Sequence, residues 1–300
     1  MNSGDLNLFF KHFNLTGKYV QKVQHLLITI SNIHPEAPIK TVLDIISSKD
    51  YEGLALHNPL NNCFLNSTLN AISSCYSIRA LLLNNTDLLQ TNTSFFDQLS
   101  KDLKENLQHS RIPDINNPVT LKLKVLDFFQ SLKQIVNGET TTAQNLRHQF
   151  GQIFSKEFDN NFQHDPSEFL VNLLQLRPTL SNLFQITKTK VKKCTICQNE
   201  FTYGKEFLSQ LIFQPENSDI QTLIDNDLQD YYPDEANWPF CDNCNNNQPM
   251  ILSTKLDHNP DILCVRLGRD WTFEDFLDIP VTPNVNLQYG NSQYNLKSVI

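Results

Sequence analysis

Three hundred residues, 40% hydrophobic and 19% charged, is globular usage with ample material for a core, in one large domain or two ordinary ones. A net charge of −8 and a pI near 5.4 argue against a general nucleic-acid binder, which needs a basic stripe to neutralise phosphate. No apolar run approaches the roughly 18 residues of a membrane span, and Met1-Asn2-Ser3-Gly4-Asp5 is not the basic start of a signal peptide. An intracellular protein is expected, and its seven cysteines read as metal ligands or catalytic thiols more readily than as disulfides.

Residues 1–50 read as an N-terminal extension or small accessory module. Apolar groups at Leu8 to Phe13 and Val20 to Ile30 predict short helices, punctuated by Pro35 and Pro38. No chemistry is assigned to this stretch. The informative region begins at Ala55, where polar, turn-forming residues and Pro59 lead to Cys63. Beyond it, Leu65, Leu69, Ile72 and Tyr76 recur at i, i+4, i+7 and i+11, the period of a half-buried helix. Cys63 is therefore expected at a helix N-terminus, where unpaired N–H groups and the helix dipole favour a thiolate over a thiol. Asn58, in the loop upstream, has an amide suited to donate to an oxyanion formed when the thiolate attacks a carbonyl. A buried, inert helix cysteine is the alternative that this stretch alone leaves open.

Helical spacing continues from Ser74 to Leu89, from Phe95 to Leu107 and from Leu121 to Val136, with a proline-bearing loop from His109 to Pro118. In Gln163-His164-Asp165-Pro166-Ser167-Glu168-Phe169-Leu170, Asp165 is placed as N-cap, Pro166 at N1 and Glu168 at N3. These open a helix that buries Phe169, Leu170, Leu173 and Leu174. Capping accounts for both carboxylates and is worth on the order of 1 kcal/mol. From about residue 186 the pattern becomes strand-like. Cys194-Thr195-Ile196-Cys197 and Cys241-Asp242-Asn243-Cys244 are two Cys-x-x-Cys pairs, each presenting two sulfurs from a tight turn, and four thiolates complete a tetrahedral zinc site. Two hairpins whose tips meet suit the gap between the pairs. An independent redox role for one pair is the competing reading. Cys75 and Cys264 read as packed apolar cysteines.

The stretch from Ala55 to Asn70 resembles the cysteine box of the ubiquitin-specific proteases, papain-like deubiquitinases. Their pattern is Gly-Leu-x-Asn-x-Gly-Asn-Thr-Cys-Tyr/Phe-Leu/Met-Asn-Ser-x-Leu-Gln. Leu56, Asn58, Asn61, Cys63, Phe64, Leu65, Asn66, Ser67 and Leu69 match it in register. Ala55 and Leu60 stand where the pattern has glycine, and Asn62 where it has threonine. The stretch from Gln163 to Leu170 resembles the family's second box, Leu263 to Arg269 its palm strand, and Tyr294 to Ile300 the strand leading to its histidine loop. Four boxes in the family's order span residues 51–300.

The resemblance implies an α+β papain-like fold with a helical thumb, zinc-tipped β fingers and a β palm. It also implies structural zinc on Cys194, Cys197, Cys241 and Cys244. Cys63 and Asn58 would be the catalytic residues, and Asp165 and Glu168 would engage the arginine-rich tail of ubiquitin. The family's histidine, in Gly-His-Tyr, would fall beyond residue 300, so the domain is expected to be incomplete at its C-terminal end. No histidine present sits in a comparable context, although His57 lies close to the box. The expected activity is thiol-dependent hydrolysis of bonds at the ubiquitin C-terminus, by a cytoplasmic or nuclear monomer with ubiquitin and ubiquitinated proteins as partners. The alternative is a ubiquitin-binding pseudoenzyme or scaffold.

Overall fold

In the computed structural model, residues 53–58, 61–83, 88, 90–106, 117–160, 162–216, 218–268 and 281–299 are described. The expectations for residues 1–50, for Pro59 and Leu60, for most of the 109–118 loop and for Arg269 lie outside these residues. The chain divides into two compact units, one ending at Leu176 and including the stretch from Lys297, the other Arg177–Leu296.

The first unit is helical. Helix α1, Cys63–Ser74, buries Phe64, Leu65, Leu69 and Ile72 on the face that the apolar spacing sets. The helix expected to run on from Ser74 is interrupted at Cys75, whose extended backbone (φ −87°, ψ 118°) separates α1 from α2, Tyr76–Leu83. After α3, Thr93–Asn106, comes α4, Pro118–Val136. Asn117 caps α4 by accepting from Val119 N (2.9 Å) and Thr120 N (3.4 Å), and Pro118 takes the first helical position. Pro118 thus belongs to the helix rather than to the expected loop, because the missing N–H of proline costs nothing in the first turn. Helix α5, Gln144–Ile153, leads through a 3₁₀ turn, Lys156–Asp159, to α6, Pro166–Gln175.

Phenylalanines fill the centre of this unit. The Phe150 ring lies 4.6 Å from Phe154, 4.9 Å from Phe158, 4.6 Å from Phe169 and 5.8 Å from Phe128 between centroids. Edge and tilted geometries of this kind add to the stabilisation from burial alone. One aromatic cluster therefore joins α4, α5, the 3₁₀ turn and α6.

The second unit opens with α7, Pro178–Phe184, and then turns to strands. β1 (Ile186–Cys194) is the centre of a three-stranded antiparallel sheet, flanked by β2 (Glu200–Leu208) and β6 (Met250–His258). β3 (Leu211–Phe213) pairs in parallel with β7 (Val265–Leu267), the stretch read as the palm strand. A short hairpin, β4 (Phe240–Cys241) and β5 (Asn246–Asn247), carries the second cysteine pair. β8 (Asn286–Tyr289) and β9 (Ser292–Asn295) form another hairpin, turning at Gly290 with φ +56°, where glycine has no steric penalty. The last strand thus lies earlier than the expected 294–300. Ile186, Leu211, Ile224 and Tyr289 form the main core, with Ile224 supplied by α8, Ile220–Asp227. Lys188, buried on β1, is held by Asp227 at the end of α8 at 2.5 Å. The observed architecture is the expected α+β arrangement, with helices in one unit and strands dominating the other.

Candidate functional site

Cys63 is the first residue of α1 and is exposed. Burial, which the inert alternative needs, is absent. The segment before it is clamped along its length. Asn70 accepts from Leu54 N at 2.6 Å and donates to Leu54 O at 3.4 Å. One helical turn earlier, Asn66 donates to His57 O at 3.1 Å. His57 N donates to Thr141 O at 2.8 Å, and His57 bridges Thr142. Two asparagines of α1 and the Thr141–Thr142 backbone thus fix residues 54–57, and Asn58 follows directly, exposed.

Asn61 adopts φ +58°, a left-handed conformation that asparagine tolerates better than most residues with a Cβ. Asn62 is fully buried and does not cap α1 with its side chain. Its amide points instead to α5: Oδ1 accepts from Arg147 Nη1 at 2.7 Å, and Nδ2 donates to Gln144 Oε1 at 3.2 Å. N–H groups in the first turn of a helix suit a negative charge, and the side chain preceding Cys63 does not compete for them.

The structure brings the cysteine stretch and the carboxylate stretch together within the first unit. Phe64, next to Cys63, packs edge-on against Phe169 of α6 at 6.2 Å and against His164 at 5.2 Å. Thr68 Oγ1 donates to Phe64 O at 2.8 Å and reaches Pro166 O at 3.4 Å. Asp165 is the N-cap of α6, accepting from Ser167 N at 2.7 Å, with Pro166 at N1 and Glu168 in the first turn, exposed. Phe169, Leu170, Leu173 and Leu174 are the buried face. His164 donates through Nε2 to Glu157 O at 2.9 Å and lies between the Phe64 and Phe158 rings, 4.7 Å from the latter. Among the described residues no histidine hydrogen-bonds Cys63; the His57 side chain is exposed and His148 pairs with Asp159 at 2.7 Å.

The second unit holds a sulfur cluster. Sγ atoms of Cys194, Cys197, Cys241 and Cys244 all lie within 4.8 Å of one another. Cys194 to Cys244 is 3.9 Å and Cys197 to Cys241 is 3.6 Å. Tetrahedral zinc with Zn–S bonds of about 2.3 Å requires sulfurs roughly 3.8 Å apart, so the donor set and its spacing fit that ion. The first pair sits at the turn between β1 and β2, the second on the β4–β5 hairpin, and Met250, Phe201 and Leu252 pack around them. A hydrogen bond from the Asn199 backbone pushes the Cys197 thiol down to about 6, while partial burial and the neighbouring sulfurs push Cys244 up to about 12. Four sulfurs at this distance do not all ionise unless a cation joins them. Cys75 is half-buried; Cys264 is too, and burial pushes its thiol up to about 11.

Sequence reasoning missed Arg147, Gln144 and the inward role of Asn62. The one available signal was a cation on α5 one turn before the buried Phe150 and Gly151.

Residues 54–300 match the protein-family model for ubiquitin carboxyl-terminal hydrolase. Among solved structures the chain is similar to one in the SAGA Ubp8/Sgf11/Sus1/Sgf73 DUB module bound to ubiquitin aldehyde, at 16% identity and TM-score 0.49, over 86% of this chain and 57% of that one. It is also similar to one in a variant of that module bound to monoubiquitin, at 14% identity and TM-score 0.48, over 86% of this chain and 58% of that one. The chain thus spans less than three fifths of each of these two solved chains. No curated protein sequence matches it.

Proposed function

The chain belongs to the ubiquitin carboxyl-terminal hydrolase family, and from that premise we propose that it is a thiol hydrolase acting at the C-terminus of ubiquitin with Cys63 as nucleophile. The observation that carries this reading is the exposed sulfur at the first residue of α1, behind a clamped segment that ends at Asn58. The thiolate attacks the carbonyl carbon of the terminal ubiquitin residue, and the oxyanion takes its hydrogen bonds from first-turn N–H groups and the Asn58 amide. The tetrahedral intermediate collapses with departure of the amine, which takes up a proton, leaving a thioester. Water then adds to the thioester carbonyl and the thiol leaves, returning Cys63. Structural zinc on the four cysteines completes the strand unit, and such a site needs the reduced thiols of the cytoplasm or nucleus.

The test is capture by ubiquitin whose C-terminus carries a thiol-reactive electrophile. One covalent adduct is expected, mapping to Cys63 and missing in Cys63→Ala. No adduct with the wild-type chain would overturn the reading. A second reading, ubiquitin binding without turnover, is favoured by one observation, the absence among the described residues of a histidine bonded to Cys63. Its signature is tight ubiquitin binding with no turnover of a ubiquitin conjugate.

Asp165 and Glu168 are proposed to hold the basic tail of ubiquitin while starting α6. Asp165→Asn keeps a good N-cap and is expected to leave thermal stability within about 0.5 kcal/mol, whereas Asp165→Ala loses about 1 kcal/mol. Ubiquitin binding measured by calorimetry is expected to weaken roughly tenfold or more in both variants, since a hydrogen bond between charged groups contributes about 1.5–3 kcal/mol. Unchanged affinity in Asp165→Asn would leave capping as the whole role.

A further inference from the structure

Arg147 is a buried cation near the middle of α5, with 1% of its surface exposed. A guanidinium in that position is costly unless every donor is used, and here the fork is spread over two separate pieces of chain. Nε donates to Phe158 O at 2.6 Å, and Nη2 donates to Phe162 O at 2.8 Å and to Asn160 O. Those acceptors belong to the turn that delivers Asp165 and Glu168 to α6. Nη1 reaches the other way, to Asn62 Oδ1 at 2.7 Å, immediately before Cys63. The guanidinium carbon also lies 5.3 Å from the centre of the Phe64 ring, immediately after it. Burial pushes the Arg147 pKa down, while negative charge on Asp159 and on the Cys63 sulfur favours its protonated form.

A residue that only stapled the 158–162 turn would have no use for the link to Asn62. Asn62 is gripped at both ends of its amide by residues one turn apart on α5, Gln144 and Arg147. We propose that Arg147 is a positioning residue for Cys63, setting through Asn62 the turn that presents the sulfur, and through three carbonyls the approach to the carboxylates of α6. This rests on the thiol-hydrolase reading, and it means that one side chain sets the two halves of the site against each other. Arginine is the residue the geometry requires, because a lysine ammonium is a point charge and does not span these acceptors.

Two variants separate positioning from support. Asn62→Leu removes the link to the sulfur turn and keeps the carbonyl bonds; Arg147→Lys weakens both. With the ubiquitin electrophile, the maximal labelling rate of Cys63 is expected to fall about tenfold to a hundredfold in Asn62→Leu, the scale of a small misplacement of a reacting atom. The half-saturating ubiquitin concentration is expected to change less than about threefold in that variant, because the approach to α6 is untouched. In Arg147→Lys both quantities are expected to worsen. A purely structural role lowers the amplitude, in proportion to the unfolded fraction, and leaves both constants of the folded molecules at wild-type values; that result overturns the proposal. Should Arg147→Lys fail to fold, Asn62→Leu alone decides by the same criterion. Alkylation of Cys63 by iodoacetamide, followed on its own peptide, needs no ubiquitin. A rate constant shifted at least about threefold in the folded variants upholds positioning even where wild type ignores the ubiquitin probe, and an unshifted one overturns it; absence of the wild-type adduct itself counts against the hydrolase reading alone.

Discussion

Purified without chelator, the chain is expected to carry one zinc ion per molecule, and a Cys194→Ser, Cys241→Ser double variant to carry none and to lose ordered structure around the second cysteine pair. The strands there have too little of their own to stand on. β4 and β5 are two residues each, and the buried side chains around them are Cys194, Cys241 and Met250. An isolated hairpin is marginal in water even at ordinary length. Structural zinc contributes apparent binding free energies of about 10–16 kcal/mol in small zinc peptides at neutral pH, and where no formed site survives without metal that energy is folding energy. Metal analysis checks the ion, and hydrogen exchange checks the consequence. Amides of the β4–β5 hairpin and of the turn between β1 and β2 should lose protection on chelation, while those of α4 and α6 keep theirs. Equal zinc in wild type and the double variant would remove the assignment.

The second large effect is on rate. Residues 1–300 assayed by themselves are expected to accept the ubiquitin electrophile and yet turn over an isopeptide conjugate slowly. Forming the adduct needs a nucleophile; releasing an amine needs a proton donor as well. General acid help of that kind is worth about 10²- to 10⁴-fold. Among the described residues the imidazoles are engaged elsewhere or unlinked to the sulfur: His164 Nε2 is spent on Glu157 O, His148 on Asp159 and Gln152, and His57 is not bonded to Cys63. A longer chain carrying a Gly-His-Tyr segment after residue 300 is expected to recover about that factor, with Cys63→Ala inactive in both lengths. Fast turnover by residues 1–300 that is lost on His164→Ala or His57→Ala would show that the base lies within them.

What was legible in the sequence was local. The start of α6 could be read because cap, proline and buried face fall within ten residues, and the sulfur cluster because each pair is set by a single turn. The break at Cys75 could not: no proline or glycine stands beside it to punctuate the helix. Asn62 looked like a lapse from the family's threonine. It is instead a buried amide matched to Gln144 and Arg147, more than eighty residues away in sequence. Contacts of that separation leave no periodic trace. The second unit was legible as strands but not as pairings, since neither the parallel match of β3 with β7 nor the central place of β1 follows from alternation.

That parallel pair constrains the order in which the strand unit is assembled. β3 ends at Phe213 and β7 begins at Val265, so α8, the short strands β4 and β5, and β6 lie in the loop that their pairing closes. Three ladder positions repay little of the entropy lost in closing so long a loop. β1 and β6, in register over most of their length, are the stronger closure and are expected to bring the flanks of that loop together first. The β3–β7 pair is then expected to form across a shortened path. A late, weak ladder is thus expected to depend on an earlier one, with the stretch read as the palm strand docked last.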